Sequence, residues 1–267
     1  MLNEHNGFEL EKLFDLSVDS VEGMTLKRIS PYYVPGKKYK RLSKKLRDVI
    51  AHNLQYRYYN FQKKQRAKTY YKQEYHSSYE QEVFELEASQ DWYLDGLWQD
   101  VRYFSDYEDV VREAFRFKNE ERFNEVDLLH LEKISQQGSV GIHVRRGDFV
   151  NSKFDICSME YYQKALNIIF EQVENPQFFF FTDDTEYVEK EFDWLTSKTV
   201  IKHSVNQGIL DMEMLSKCKH KIISNSTFAF WSAWLGEQGG LTIAPKYSII
   251  KADRRFVLNV PEKWMQI

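Results

Sequence analysis

The fold of this chain is decided by one short stretch, Ser139-Val140-Gly141-Ile142-His143-Val144-Arg145-Arg146-Gly147-Asp148-Phe149. Apolar residues alternate with small or polar ones, so Val140, Ile142 and Val144 share one face of a predicted strand. Arg145 and Arg146 come where that strand ends, and a glycine turn is next. The planar arginine fork binds two phosphate oxygens at once, and each charge-assisted bond contributes about 1.5–3 kcal/mol. The stretch therefore predicts a strand that ends at a diphosphate site, with a solvated arginine pair as the alternative.

The chain after residue 138 alternates short apolar runs with helical periods. Strands are predicted at 139–145, 177–182, 199–203, 220–224 and 241–244, with helices at 158–174, 185–196, 210–217 and 228–237. Strands that alternate with helices in this way predict parallel β-α-β units in a doubly wound α/β sheet. Ligands of such sheets bind beyond the carboxyl ends of the strands. Arg146, Asp183 and Ser226 all lie at such ends, which predicts one shared site.

Composition sets the limits on class and location. With 37 basic and 40 acidic residues the net charge is -3, so no global field attracts nucleic acid. Cys157 and Cys218 lack metal-ligand spacing, which favours a reducing compartment. No apolar run is long enough to span a membrane, and residues 1–5 do not start a secretion signal, so a cytoplasmic location is expected.

Residues 1–138 differ from the rest and are predicted to be mostly helical, with one strand-like segment at 92–94. We therefore expect two domains, 1–138 and 139–267. Within the first, residues 37–47 hold seven lysines and arginines. A solvated helix face is the plain explanation for them. The alternative is a basic patch that contacts anionic lipid headgroups at the inner membrane face.

Four blocks of the sequence resemble the bacterial α-1,2-fucosyltransferases of glycosyltransferase family 11. They are His143–Asp148, Asp211–Cys218, Ser224–Trp234, and Tyr93–Gln99 with Tyr103-Phe104. The resemblance implies a GT-B-like fold, with a Rossmann-like domain at 139–267 that binds GDP-fucose and an incomplete Rossmann-like domain at 1–138 that faces the acceptor. It also implies inverting transfer of L-fucose to the 2-hydroxyl of a terminal galactose in an O-antigen or capsule glycan.

The resemblance also implies roles for individual residues. Arg146 is expected to bind the β-phosphate as the main electrostatic catalyst, with Arg145 shaping the phosphate pocket. His143 and Asp183 are expected to contact the guanine base. Asp148 either orients Arg146 or acts as general base, and the orienting role is favoured because a carboxylate paired with arginine is a weak base.

Three further expectations concern ligands. Ser226 and Thr227 precede a predicted helix, where hydroxyls and free N–H groups suit a second phosphate contact, although Ser226 as a simple N-cap is the alternative. Fixed cations are expected to replace a metal cofactor, since the adjacent carboxylates after residue 182 point to opposite sides of the chain. Trp98 and Tyr93 either stack on the galactose ring or pack in a core.

One departure from the family concerns the start of the chain. Members begin with a strand and a turn similar to G-G-L-G-N-Q-M-F-Q, and residues 1–11 match the part of the family sequence directly after that segment. We therefore expect the family's first strand and first helix to be missing, through a start assigned too late or a truncated product. Two alternative functions are then open: a fucosyltransferase of another linkage, such as α-1,6, or an inactive nucleotide-sugar-binding protein.

Overall fold

The computed structural model describes residues 10–16, 70–73, 79–118, 122–203, 207–236, 239–251 and 254–267. These residues form two compact units, one containing 10–16 and everything described from 107 onward, the other containing 70–73 and 79–106. The basic stretch 37–47 lies outside the described residues. The predicted domain boundary at residue 138, between an acceptor-side half and a donor-binding half, stays a prediction. Across the described residues, no helix is both long and apolar enough to cross a membrane.

The larger unit contains seven α-helices among its described residues. They are α1 (Leu10–Leu13), α2 (Glu108–Ala114), α3 (Glu125–Ile134), α4 (Met159–Gln172), α5 (Thr185–Glu191), α6 (Gly208–Lys217) and α7 (Thr227–Leu235). The smaller unit contributes β1 (Tyr70–Lys72) and β2 (Tyr93–Asp95). The larger unit contributes β3 (Ser139–Val144), β4 (Gln177–Thr182), β5 (Lys198–Val200), β6 (His220–Ile222), β7 (Thr242–Ala244), β8 (Tyr247–Lys251), β9 (Arg254–Val257) and β10 (Met265–Gln266).

A six-stranded sheet forms the centre of the larger unit. Its strand order is β10-β7-β6-β3-β4-β5, and every neighbouring pair is parallel. This confirms the predicted doubly wound α/β sheet, and β10 extends it by a strand that was not predicted. The chain leaves β3 toward β4 and β5, then returns to add β6 and β7 on the opposite side. The gap between the ends of β3 and β6 is therefore the switch point at which such sheets bind ligands.

The alternation predicted for β3 separates two cores. Val140, Ile142 and Val144 pack with apolar residues of α4 on one face of the sheet. On the other face, Gly141 lies so close to α6 that an added Cβ would be 2.5 Å from Leu215 Cδ1. All six residues of β3 are buried. This burial gives the strand a fixed register, so the arginines after it emerge at a defined position on the sheet edge.

Candidate active site

The predicted site residues lie at the carboxyl edge of the sheet, in the loops after β3, β4 and β6. A hydrogen bond connects the two strand ends at the switch point, since His143 Nδ1 lies 2.8 Å from Ser224 Oγ. The same Ser224 oxygen accepts a hydrogen bond from the Ser226 N–H at 3.3 Å. The end of β3 and the loop before α7 are therefore joined directly, as a shared binding site requires.

Asp183 holds the arginine turn against the end of β4. Its Oδ1 accepts a hydrogen bond from the backbone N–H of Arg146 at 2.8 Å, and its Oδ2 lies 2.9 Å from Arg145 Nη1. Gly147 allows this approach, because a Cβ at that position would be 2.5 Å from Asp183 Oδ2. Both carboxylate oxygens thus have partners within the turn. The predicted contact of Asp183 with a guanine base stays a prediction.

Arg145 is surrounded by carboxylates. Besides Asp183, its guanidinium donates to Asp148 Oδ1 from Nη2 at 2.7 Å and from Nε at 3.1 Å. The prediction that Asp148 orients Arg146 was therefore wrong. A single 3₁₀ turn over Gly147–Phe149 places Asp148 beside the residue three positions earlier. Asp148 as general base remains a prediction, and its side chain is well exposed.

Arg146 has different surroundings from its neighbour. Its guanidinium carbon lies 4.1 Å from the centroid of the Tyr187 ring. Its Nε is buried, and the described residues provide neither a hydrogen-bond partner for this atom nor a carboxylate that forms an ion pair with the side chain. Arg145 forms ion pairs with two carboxylates, whereas Arg146 forms none with the described residues. Within the part of the chain that the structure describes, Arg146 is therefore the member of the pair that is available to bind an anion at this edge.

His143 is a buried neutral side chain. Burial, and next the charge of Arg145, lower the pKa of His143 to about 3. Its ring also lies 5.4 Å from that of Phe228 at the start of α7. The imidazole therefore carries no charge at neutral pH and helps to join β3 to α7. Its predicted guanine contact stays a prediction.

Ser226 and Thr227 lie at the beginning of α7. Ser226 occupies the N-cap position, but its side chain makes no capping hydrogen bond. The neighbouring Asn225 is buried and donates through Nδ2 to the carbonyls of Phe154 at 3.1 Å and Ser248 at 2.8 Å. Asn225 thereby anchors the loop, while the Ser226 hydroxyl is not used for capping. The arrangement leaves the helix N-terminus with the donors that an anion binds.

A charged cluster beyond β5 was not predicted. His203 Nδ1 lies 2.6 Å from Asp211 Oδ1, and its Nε2 lies 2.9 Å from Asp127 Oδ1. The hydrogen bond to Asp211 raises the pKa of His203 to about 9 against the opposing effect of burial. Asp211 is the first residue of one of the four blocks that carry the resemblance. No local sequence pattern predicts that it pairs with His203 in the loop before α6. We name these three residues the His203 cluster.

Carboxylates after β4 are used within the protein. Asp184 Oδ1 accepts a hydrogen bond from the Tyr187 N–H at 3.0 Å and caps α5, while its neighbour Asp183 holds the arginine turn. Among the described residues, no three His, Cys, Asp or Glu side chains are grouped so as to hold a metal ion. That the site works without a metal stays a prediction.

The smaller unit contains an aromatic cluster around Trp98, which adopts a left-handed backbone (φ 51°). Gln73 Oε1 accepts hydrogen bonds from the N–H groups of Leu97 at 3.0 Å and Trp98 at 3.3 Å, which stabilises this turn. The Trp98 ring packs edge-on against Tyr103 at 5.4 Å, in agreement with core packing. Tyr93 lies in β2, and its side chain is outside the described structure. Stacking of a sugar on Trp98 or Tyr93 stays a prediction.

A doubly wound parallel sheet, with an arginine turn and a helix N-terminus at its switch point, defines a Rossmann-like α/β protein. The sequence profile of glycosyl transferase family 11 matches residues 38–262. The chain belongs to that family.

Relatives with assigned activities cover only part of this chain. An α-1,2-colitosyltransferase from Escherichia coli is 32% identical over 181 residues, which are 64% of this chain and 61% of that enzyme. The O-antigen biosynthesis glycosyltransferase WbnK of the same species is 30% identical, over 60% of this chain and 56% of its own length. A bovine galactoside 2-α-L-fucosyltransferase, SEC1, is 32% identical over 39% of this chain and 30% of its length. The chain therefore spans about three fifths of the two bacterial relatives.

The solved structures that resemble this fold include NodZ, an α-1,6-fucosyltransferase whose crystals were soaked with GDP-fucose. It has 22% sequence identity and a TM-score of 0.37, over 48% of this chain and 47% of that one.

Proposed function

We propose that this protein is an inverting glycosyltransferase that transfers L-fucose from GDP-fucose to the 2-hydroxyl of a terminal galactose in a surface glycan. Family membership supports the reaction class. The activities of the colitosyl and bovine fucosyl relatives support an α-1,2 linkage over an α-1,6 one. The observation that carries the proposal is Arg146, a cation without a carboxylate partner in the described chain at the switch point of the sheet.

The proposed chemistry is a single displacement at the anomeric carbon. The acceptor hydroxyl oxygen bonds to the anomeric carbon as the bond from that carbon to the β-phosphate oxygen breaks. The hydroxyl proton passes to a general base, for which Asp148 is the candidate, and GDP leaves with increased negative charge. In this proposal Arg146 stabilises that charge, and the N–H groups and hydroxyls at the start of α7 supply neutral donors to the diphosphate. Loss of one such electrostatic contact commonly lowers the rate by about 100- to 1000-fold.

We also propose that transfer needs no divalent metal. A metal would require free carboxylate or phosphate ligands, and the two carboxylates after β4 already serve the arginine turn and the helix cap. A fixed guanidinium supplies the charge instead. GDP affinity is therefore expected to be the same with and without a chelator, as measured by isothermal titration calorimetry.

A second candidate differs only in the donor sugar. The α-1,2-colitosyltransferase relative favours colitose in place of fucose at the same site. Incubation with either GDP-sugar and a panel of galactosides, and then analysis of product linkage, distinguishes the two. Binding of GDP without any transfer would favour the inactive nucleotide-sugar-binding alternative.

The experiment for the proposed phosphate contact is Arg146→Lys. A point charge cannot reproduce a bidentate fork, so GDP affinity should fall about 10- to 100-fold, equal to about 1.5–3 kcal/mol. The control is Arg112→Lys, which removes a guanidinium that lies 4.1 Å from the Trp234 ring and pairs with Glu108. This control should leave GDP affinity unchanged. Equal affinity of Arg146→Lys and wild-type protein would contradict the assignment.

A further inference from the structure

We infer that Tyr187 is a positioning residue that holds the Arg146 guanidinium by its ring face, ready for the diphosphate of the donor. This inference rests on the proposed function. Its basis is the 4.1 Å distance between the Arg146 guanidinium carbon and the Tyr187 ring centroid, together with a buried Arg146 Nε that has no hydrogen-bond partner among the described residues. The Tyr187 ring face is therefore the described contact that can orient this guanidinium.

The structure holds Tyr187 itself firmly. Its N–H donates to Asp184 Oδ1 at 3.0 Å, and the Asp184 N–H donates to Thr182 Oγ1 at 3.0 Å. The tyrosine therefore lies in the first turn of a capped helix that starts directly after β4. Its partly buried ring packs against the core beneath β3 and α4. The position of the ring is set by the same strand end that positions the arginine turn.

A ring face and a carboxylate differ in how many N–H donors of an arginine they leave available to a ligand. Asp148 and Asp183 orient Arg145, but they also neutralise it and occupy its N–H donors. An aromatic face attracts the cation without adding negative charge and leaves the in-plane N–H edges free. Burial raises the pKa of Tyr187, although the charge of Arg146 opposes this, so the phenol stays neutral. Arg146 can therefore be oriented and still bind two phosphate oxygens.

The test measures the ratio of GDP affinity to GMP affinity, because a contact with the terminal phosphate affects only the first. Tyr187→Leu removes the ring and should lower this ratio about three- to thirtyfold. Tyr187→Phe keeps the ring and should stay within about twofold of wild type. Should Tyr187→Leu fail to fold, Tyr187→Met, with an unbranched side chain, takes its place.

A double-mutant cycle shows whether Tyr187 acts through Arg146. In an Arg146→Ala background, Tyr187→Leu should cause no further change in the ratio. A merely structural tyrosine would lower both affinities and act equally in either background. The control is Tyr107→Leu, which removes a well-exposed tyrosine with no role at the site and should leave the ratio unchanged.

Two outcomes separate the proposals. A wild-type protein that binds GDP no better than GMP overturns the diphosphate site, and with it both the proposed function and this inference. A wild-type protein that prefers GDP, together with a Tyr187→Leu variant of equal preference, overturns the inference alone.

Discussion

At the scale of single residues, Gly147 decides whether the arginine turn can close on Asp183. A side chain at this position would put its Cβ 2.5 Å from Asp183 Oδ2, the oxygen that pairs with Arg145. Non-bonded atoms do not tolerate that approach, so the carboxylate would have to rotate away. Rotation would also break the hydrogen bond from the Arg146 N–H. Gly147 therefore controls the position of both arginines through a single carboxylate.

Gly147→Ala is expected to lower GDP affinity about tenfold, at a stability cost of about 1–2 kcal/mol. Calorimetry with GDP and chemical denaturation measure the two effects. The matched control is Gly208→Ala at the start of α6, where an added Cβ has no atom of the described residues within 4 Å. That variant should be neutral or more stable by up to about 1 kcal/mol. If both variants bind GDP with the same affinity, a displaced Asp183 carboxylate does not affect the phosphate site.

At the scale of elements, the His203 cluster joins the end of β5 to two helices. Asp211 comes from α6 and Asp127 from the first turn of α3, where Asp127 also completes a capping box with Asn124. The raised pKa of His203 means that the imidazolium is the form present at neutral pH. A cation between two carboxylates stabilises this corner of the sheet, at the same edge as the arginine turn.

The cluster predicts a pH dependence of stability. Its stabilisation is fully present below the ordinary histidine pKa of about 6.5 and is lost as the pH rises through about 9. Over that window the free energy of unfolding should fall with a slope of up to about 1.4 kcal/mol per pH unit. Urea denaturation at pH 6, 7.5 and 9 measures it, and His203→Gln should lack this part of the slope. Parallel profiles for the two proteins would contradict the assignment.

At the scale of the whole molecule, the basic stretch 37–47 bears on where the acceptor is found. Seven of its eleven residues are lysine or arginine. If the acceptor glycan is carried on a lipid, these cations would concentrate the enzyme at an anionic membrane surface. Each exposed cation would contribute about 1 kcal/mol near such a surface.

Sedimentation with vesicles tests this expectation. Binding to vesicles that contain anionic lipid should be weak and should disappear between 0.1 M and 1 M salt, because the Debye length falls from about 10 Å to about 3 Å. Neutral vesicles should not bind the protein, and replacement of Lys37, Lys38 and Lys40 with glutamine should weaken binding to the anionic ones. Equal partition into both vesicle types would leave the stretch as a solvated surface.

Local sequence patterns were enough to predict most of the fold. Short apolar strands that alternate with helical periods predicted parallel β-α-β units, because a crossover helix joins each pair of parallel strands. The strand-end rule then placed Arg146, Asp183 and Ser226 on one edge, where the structure has them. The edge strand β10 was not predicted, because a segment of two residues is too short to show a hydrophobic period. Only its pairing with β7 identifies it as a strand.

The sequence by itself determined the class of fold, the edge of the sheet that carries the site and the residue types present there. Only the tertiary structure decided which side chain pairs with which. Asp148 pairs with Arg145 and not Arg146, the Tyr187 ring takes Arg146, and His203 bridges carboxylates of two separate helices. The physical reason is that periodicity reports the burial of one segment, whereas these contacts depend on how separate segments meet in space. Adjacent arginines of identical chemistry therefore differ in their partners: Arg145 pairs with Asp183 and with Asp148 of its own turn, whereas Arg146 lies against the Tyr187 ring.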